Sequence, residues 1–333
     1  MPRYRSPLNA INNFVIFLIT LFAFGCERSA PDVVLYTSVD EPYVRPIVDA
    51  FVKETGISVR VVTDTEATKS VGLAERLRAE RQNPRADVWW GNEPFHTARL
   101  AEEGLFAPYA SPAAVDVPAQ YRDTQNRWSG VGLRVRVIAV APSLVSTVIG
   151  LNDLTLPMYK GKVCMARPSA GTTGGHVATI YAQLGRDAAD AYFKALADND
   201  IKLLGGNSEV TRQVAAGNFV IGLTDNDDVA STQSIGGAIA MVLPDQASHG
   251  TLMLPTTVAL VQRDTINPAS KLLIDRLVSQ ATEQALIDAK FSLLSVRAKT
   301  QSVKAMPIDY AAVATQMPEA VHRATAILDR RSQ

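Results

Sequence analysis

Acidic side chains follow three of the predicted strands in the first part of this chain. The carboxylates that stand just after these apolar, β-branched runs are Asp40, Asp64, Glu66 and Glu93. Because the loops that leave the carboxyl ends of parallel strands meet at one edge of a sheet, we expect these side chains to converge there. Carboxylates are hard oxygen ligands, so their convergence favours a positively charged ligand.

A second candidate for chemistry is the Gly/Thr-rich segment 169–175, with the sequence Ser-Ala-Gly-Thr-Thr-Gly-Gly. We predict that it is a loop leading into a helix at 177–184. Successive backbone N–H groups, hydroxyls and a helix N-terminus form a concavity that suits an anion. The alternative interpretation is a flexible loop with an ordinary helix cap. The glycine and lysine spacing of a Walker phosphate loop is missing.

The sequence carries no signature of catalysis. Its histidines have no His-x-x-x-His spacing, so no zinc site is predicted, and there is no Gly-x-Ser-x-Gly nucleophile elbow. We expect His176 to be a surface residue at the start of a helix. Cys164 lies in the apolar run 162–166 and is predicted to be a buried strand thiol without reactivity.

The order of apolar segments predicts an α/β fold with two lobes. The first unit alternates strand and helix, which predicts a parallel sheet covered by helices on both faces. Its segments are the strands 33–37, 57–62 and 86–90 and the helices 43–55 and 67–79. A second α/β unit follows between 162 and 224. The long runs 131–140 and 252–261 are predicted to cross between the lobes, which gives a hinged clamp with a ligand cleft.

Composition and the N-terminus limit the class of protein. The 33 basic and 33 acidic residues balance, so no overall field attracts nucleic acid or an anionic membrane surface. Residues 1–25 combine a basic start with an apolar run, which is typical of an export signal. A buried apolar helix or an uncleaved anchor is the alternative. The Gly25-Cys26 junction resembles the signal of bacterial lipoproteins, which implies a lipid anchor on Cys26 and a linker at 26–31.

The order and spacing of several segments resemble the periplasmic solute-binding proteins of ABC importers, and among them the ferric-ion-binding group. The segments that carry this resemblance are 32–36, 50–57, 86–93, 101–105, 159–163 and 206–208. It implies an α/β, two-lobe periplasmic-binding-protein clamp of type II, joined by two crossing strands. One lobe would comprise 32–133 and 255–300, and the other 134–254 and 301–333.

The resemblance also implies a role and a location. The protein would be no enzyme but a monomer that binds a small ligand and delivers it to an ABC permease of the inner membrane. It would work in the periplasm or at the cell surface, tethered by its lipid anchor, and nucleic acid would not be a partner.

In the ferric group a metal lies between the lobes, held by a His and a Glu from the first lobe and two adjacent Tyr from the second. Glu93 matches the Glu, Asp40 stands where the His is expected, and Asp227-Asp228 stand where the Tyr pair is expected. These four residues are the implied metal ligands, with Glu66 and Trp90 as supporting residues. Carboxylates serve iron, manganese, calcium and magnesium alike, so the expected cargo is Fe³⁺ or a divalent cation.

The same resemblance implies a phosphate or carbonate bound beside the metal, and no catalytic cofactor. The candidates for contacting this anion, or the anionic part of a larger ligand, are Ser169, Thr172, Thr173, Asn207 and Asp225.

Electrostatics supplies a reason for the lobes to close on a cation. Like charges about 4 Å apart repel by several kcal/mol at an intermediate dielectric, and a bound cation removes this repulsion. Two alternatives remain open. One is an organic cation or zwitterion such as a polyamine, with a Trp as a cation–π wall. The other is a secreted hydrolase or transferase that uses paired carboxylates as acid and base.

Overall fold

The structure is a computed structural model, and it describes residues 32–64, 70–169, 171–299 and 302–329. The predicted export signal at 1–25, the linker with Cys26, and Glu66 lie outside the described residues. Among the described residues, no helix has both the length and the apolar character needed to cross a bilayer.

The strands form a mixed sheet whose two ends are parallel and whose centre is antiparallel. They are β1 Val33–Thr37, β2 Val59–Thr63, β3 Val88–Gly91, β4 Phe106–Ala107, β5 Ser129–Val140, β6 Val163–Ala166, β7 Lys202–Leu204, β8 Ile221–Asp225, β9 Ala240–Val242 and β10 Met253–Val261. The order is β2-β1-β3-β10-β5-β8-β6-β7, with β4 beside β10 and β9 beside β5. The predicted α/β class is therefore confirmed.

The two long strands join the two ends of this sheet. β5 and β10 pair with each other in antiparallel register, while β10 also pairs with β3 and β5 also pairs with β8. We call the part built on β1–β4 the first lobe and the part built on β6–β9 the second lobe. The prediction that two extended strands connect the lobes is confirmed, whereas the exact residue boundaries of the lobes stay a prediction.

Helices cover both lobes. Those of the first lobe are α1 Glu41–Thr55, α2 Val71–Ala79, α3 Pro94–Glu102, α8 Pro268–Leu277 and α9 Gln280–Asp288; those of the second are α4 Gly171–Leu184, α5 Arg186–Asp198, α6 Asn207–Ala215 and α7 Asn226–Ser234. The amphipathic pattern explains their packing: in α1, the buried face carries Val44, Ile47, Val48 and Phe51. Gly56, in the left-handed region at φ 72°, ends α1 with its N–H bonded to the Val52 carbonyl.

The helix α10, Tyr310–Asp329, packs against both lobes. It contacts α3 in the first lobe and α4 and α5 in the second. At its start, the Tyr310 hydroxyl donates to the Met253 carbonyl of β10 at 3.0 Å, and the Tyr310 ring meets Phe95 of α3 edge to face at 5.9 Å. This helix thus links the crossing strands to both lobes.

The Gly/Thr-rich segment is not the loop that the sequence predicts. α4 begins at Gly171, so most of the segment forms the first turns of the helix and is buried. A Cβ on Gly175 would collide with the ring of Phe95, and one on Gly174 would lie 2.9 Å from the Pro168 carbonyl oxygen. These glycines permit close contact between α4 and its neighbours, and this packing need, rather than flexibility, explains the composition.

Candidate functional site

A small polar cavity lies where the two lobes meet. Its lining includes Asn92 from the first lobe, Arg134 from β5, and Thr172, Asn207 and Asp228 from the second lobe. The cavity has a volume of about 40 Å³, enough for an ion with a few waters. Pockets for drug-sized organic ligands are larger, at roughly 300–1,000 Å³, so this conformation favours a small occupant.

Three second-lobe acids form a cluster, and two of them, Asp225 and Asp228, line this cavity. Asp225 ends β8, and Asp227 and Asp228 lie in the first turn of α7, where the helix dipole favours negative charge. One carboxylate oxygen from each acid lies within 4.8 Å of the others. The Ser208 hydroxyl donates to Asp228 at 2.9 Å. The predicted second-lobe ligands Asp227 and Asp228 thus lie together with Asp225, and their role as metal ligands stays a prediction.

Two buried arginines of β5 approach the same acids. Nη2 of Arg134 donates to both carboxylate oxygens of Asp227, at 2.7 and 2.9 Å, and to Asp225 at 3.0 Å. Nη1 of Arg136 donates to Asp225 at 2.8 Å. Both arginines project from the same face of β5 because side chains alternate along a strand. Much of the negative charge of the cluster is thus balanced from within the protein.

Asp225 also contacts the residues that the sequence proposes for anion binding. Its carboxylate accepts from the Thr172 hydroxyl at 2.5 Å and from the Asn207 amide at 3.0 Å. The Thr173 hydroxyl donates to the Asn207 side-chain oxygen at 3.2 Å. Ser169 is exposed and borders the cavity. In this conformation, therefore, a carboxylate of the protein itself takes up the donors of Thr172 and Asn207.

Burial and the two arginines shift the pKa values of Asp225 and Asp227 in opposite directions. Burial raises the pKa of Asp227, and the neighbouring charge of Asp225 adds to this against the attraction of Arg134. Burial acts on Asp225 too, but Arg136 and Arg134 together hold the pKa of that carboxyl below its usual range. Asp225 is therefore the firmly ionised member, and Asp227 is the one that takes up a proton more readily.

Asp40 of the first lobe lies within electrostatic range of the second-lobe acid Asp227. It occupies the N-cap position of α1 and is partly buried. Its charge contributes to the raised pKa of Asp227, which places the two carboxylates close enough to interact. The charge of Asp40 thus acts on a second-lobe acid, while its role as a metal ligand stays a prediction.

Glu93 has a different environment. Its carboxylate accepts hydrogen bonds from the backbone N–H of Phe95 at 2.6 Å and of His96 at 3.2 Å, and it contacts Nδ1 of His96 at 2.8 Å. Glu93 is the N-cap of α3 and is 1% exposed. Within the described part of the chain, it is not a member of the acid cluster formed by Asp225, Asp227 and Asp228. Its role as a metal ligand stays a prediction.

Trp89 and Trp90 are both fully buried. Nε1 of Trp89 donates to the Thr97 hydroxyl at 2.7 Å, whereas Nε1 of Trp90 has no hydrogen-bond partner among the described residues. Both rings therefore pack in the core. Neither ring lies on the cavity surface described above.

His176 is another departure from expectation. The sequence suggests a surface residue, but His176 is 2% exposed, and its Nδ1 accepts from Nε of Arg136 at 3.3 Å. Burial, together with the nearby Arg136 charge, lowers the pKa of His176 to about 3. The reason is the early start of α4, which places this residue on the helix face that packs against β5. Cys164, by contrast, is buried as predicted, and burial raises its pKa to about 12.

Sequence reasoning missed Tyr43 and the two arginines. Tyr43 lies in the first turn of α1, three residues after Asp40, and its ring packs 4.5 Å from that of Phe291. Burial, followed by the charges of Asp227 and Asp40, raises the pKa of Tyr43 to about 12, so its phenol is near the acids. The i, i+3 spacing from Asp40 was the available signal. For Arg134 and Arg136, the signal was their alternation within an otherwise apolar strand.

Comparisons with known proteins identify relatives over most of this chain. A family described as bacterial extracellular solute-binding protein matches residues 33–291. An Fe(3+)-binding periplasmic protein of Serratia marcescens is 30% identical over 202 residues, which cover 59% of this chain and 58% of that protein. A putative 2-aminoethylphosphonate-binding periplasmic protein of Salmonella paratyphi A is 26% identical over 288 residues, covering 83% of each chain.

A solved structure, the ferric binding protein from Campylobacter jejuni, has the same fold. It superposes with a TM-score of 0.80 at 21% identity, covering 89% of this chain and 99% of that one. At this identity the likeness concerns the fold alone, and it agrees with the predicted two-lobe clamp.

Proposed function

Because the chain belongs to the bacterial extracellular solute-binding proteins, we propose that it is the binding component of an ABC importer whose solute is a hard metal cation. The protein is a binding protein rather than an enzyme. The proposed cargo is Fe³⁺ or a divalent ion, bound in the cleft between the lobes. The Serratia relative, an Fe(3+)-binding periplasmic protein, supports iron in particular.

The meeting of carboxylates from both lobes carries this proposal. The second lobe contributes three acids whose oxygens lie within 4.8 Å of one another, and Asp40 approaches them from the first lobe. Oxygen ligands at this spacing suit a hard cation. We propose Asp40, Asp227 and Asp228 as ligands, with Glu93 as a further candidate and Asp225 as a neighbouring charge.

A small anion can accompany the metal on the other side of the cavity. The N-termini of α4 and α6 border the cavity, together with the hydroxyl-bearing residues Ser169 and Thr173. Helix N-termini favour anions through their unpaired backbone N–H groups. Phosphate or carbonate is the proposed partner of the metal.

Delivery to a permease of the inner membrane follows from the proposed importer role. A lipid anchor on Cys26 would keep the protein near that permease on the outer side of the membrane. Mass spectrometry of the membrane-associated protein tests this anchor, since an N-terminal mass without acyl chains would contradict it.

A second candidate solute is a zwitterion such as an aminophosphonate. One observation favours it: the cavity presents Arg134 and two helix N-termini beside Asp228, so it offers partners for an anionic group and an ammonium group at once. The Salmonella relative, described as a 2-aminoethylphosphonate-binding protein, supports the same class of solute. Against it stands the small volume of the cavity in this conformation.

Calorimetric titration of chelator-stripped protein separates the candidates. We expect heat with ferric citrate or Mn²⁺ and none with putrescine or 2-aminoethylphosphonate. Asp228→Asn should weaken metal binding by roughly tenfold or more, because one ligand charge is lost. The control Glu75→Gln removes an exposed charge of α2 and should bind as wild type does. Heat with the organic ligands alone would contradict the metal proposal.

A further inference from the structure

Arg134 occupies the position that a cationic guest would take. Its guanidinium contacts both lobes: Nη1 donates to the Asn92 carbonyl of the first lobe at 3.3 Å, and Nη2 contacts Asp227 of the second lobe at 2.7 Å. The guanidinium carbon also lies 4.9 Å from the centre of the Phe291 ring, which supports the side chain from one face. The side chain is almost fully buried.

Because of this arrangement, a cationic solute binds next to a positive charge of the protein itself. A cation that binds Asp227 finds that carboxylate already held by two short contacts to a guanidinium. Such bidentate, charge-assisted contacts are among the stronger hydrogen bonds in proteins. The solute must therefore compete with a cation that belongs to the protein.

We infer that Arg134 is a resident counter-ion that a solute displaces from Asp227, and that this competition restricts the site to metal ions that carry two or more charges on one atom. The inference rests on the proposed metal-binding function and names the class of cation that the site selects. Arg134 is a specificity-determining residue in this account, not a ligand.

The reason for selectivity is the charge of the competing ion. At a given distance and dielectric, the attraction between an ion and a carboxylate scales with the charge of the ion. A monovalent ammonium brings no more charge than the guanidinium and lacks its planar, two-contact geometry. A divalent or trivalent metal ion concentrates two or three charges on one atom, so only such ions gain from the exchange. Putrescine carries its two charges on separate ammonium groups, and each group brings a single charge to the carboxylate.

The displaced arginine keeps partners after the exchange. Asp225 lies 3.0 Å from Nη2 of Arg134, and the Asn92 carbonyl lies within reach of Nη1. A small rotation of the guanidinium toward Asp225 therefore leaves no buried charge unpaired. Asp225 is the second acceptor that makes the exchange possible.

Titration of stripped wild-type and Arg134→Met proteins tests the inference. The probes are gallium nitrilotriacetate, Mn²⁺ and putrescine. Wild type should prefer gallium over Mn²⁺ and show no binding of putrescine. Arg134→Met should bind putrescine and Mn²⁺ more tightly than wild type does, by roughly tenfold or more. Its affinity for gallium should increase by a smaller factor, so the preference for gallium over the other two cations should become smaller. The control Arg45→Met removes an exposed charge of α1 that pairs with Glu41, and it should bind as wild type does.

Wild-type protein provides a second measurement that does not depend on the folding of a variant. The arginine Nε–H resonances are followed by NMR while diamagnetic gallium nitrilotriacetate is added, with Arg134→Lys used for assignment. The Arg134 resonance should shift on addition of the metal. An unchanged resonance in a metal-bound protein would contradict displacement.

The outcomes separate the two proposals. If wild type binds gallium but Arg134→Met retains the same discrimination, the role of Arg134 is wrong and the metal-binding function stands. If neither protein binds either metal, the metal-binding function is wrong, and the role of Arg134 falls with it.

Discussion

The two lobes hold their acids in different ways. In the first lobe, Glu93 is fixed by backbone N–H groups of its own helix and by His96, all within three residues along the chain. In the second lobe, Asp225 and Asp227 are held by arginines about ninety residues away in sequence. A local cap persists wherever its helix moves, whereas long-range side-chain contacts can be exchanged. The second lobe is therefore the more adaptable half of the site.

The largest expected effect is that of replacing Arg136, whose one acidic partner among the described residues is Asp225. Arg136→Met leaves Asp225 buried beside the shared Arg134, and we expect a loss of about 3–5 kcal/mol in the free energy of unfolding, because a buried charge loses its partner. Urea denaturation measures it. The double variant Arg136→Met/Asp225→Asn removes both charges and should recover part of the loss. A loss below about 1 kcal/mol in the single variant would show that this pairing is dispensable.

A pH dependence should follow from His176 in the second lobe. Its folded pKa of about 3 lies below the ordinary value of about 6.5, so the unfolded chain binds the proton first as pH falls. Stability is therefore full above about pH 6.5 and declines below it, by up to about 1.4 kcal/mol per pH unit. Urea denaturation between about pH 6.5 and 4.5 measures the slope. His176→Gln should show a shallower slope; an identical slope would mean that other groups cause it.

Glu93→Ala distinguishes a cap from a ligand in the first lobe. Loss of the N-cap should destabilise the protein by about 1–2 kcal/mol, while Glu93→Gln, which keeps a side-chain oxygen acceptor, should lose less. If Glu93 serves mainly as the cap, metal affinity measured by calorimetry should change less in Glu93→Gln than in Asp228→Asn. Equal losses of affinity would make Glu93 a ligand, as the family resemblance implies.

The smallest effect is expected for Tyr43→Phe. Because its pKa is raised to about 12, the phenol stays protonated at neutral pH, and its loss should change stability by less than about 0.5 kcal/mol. Calorimetry at neutral pH should give a metal affinity within roughly threefold of wild type. A loss of roughly tenfold or more would instead assign the phenol as a direct contact of the solute.

Much of the fold could be predicted because it depends on local patterns. The alternation of β-branched runs with helical segments predicted the parallel strands. The unusual length of two apolar segments, now β5 and β10, predicted the crossing strands. The predicted start of α4 was wrong, because the local propensity of glycine and threonine favours a loop there. Here the tight contact of Gly175 with Phe95 overrides that propensity. No local pattern reveals a contact between residues this far apart in sequence.

Of the candidate site, the sequence predicted the carboxylates but not the arginines that contact them. Strand ends and the family resemblance indicated Asp40, Asp227 and Asp228. The structure clusters the two second-lobe acids with Asp225 and places the charge of Asp40 within range of Asp227. The argument from repulsion assumed that these acids have no cationic neighbour. Arg134 and Arg136 supply one, because the register of β5 against β8 places Arg136 opposite Asp225. Strand register is a long-range property, so the sequence alone could not show this pairing.

The helix α10 has a consequence for the order in which the molecule is assembled. It follows every other described element along the chain, so it is synthesised after them, yet it supports both lobes. The lobes and the crossing strands can form earlier. The contacts of α10 that hold both lobes in their relative orientation form only when this late segment docks. Maturation of the clamp is therefore separable in time from the folding of its halves, and a pulse-labelling experiment could resolve the two stages.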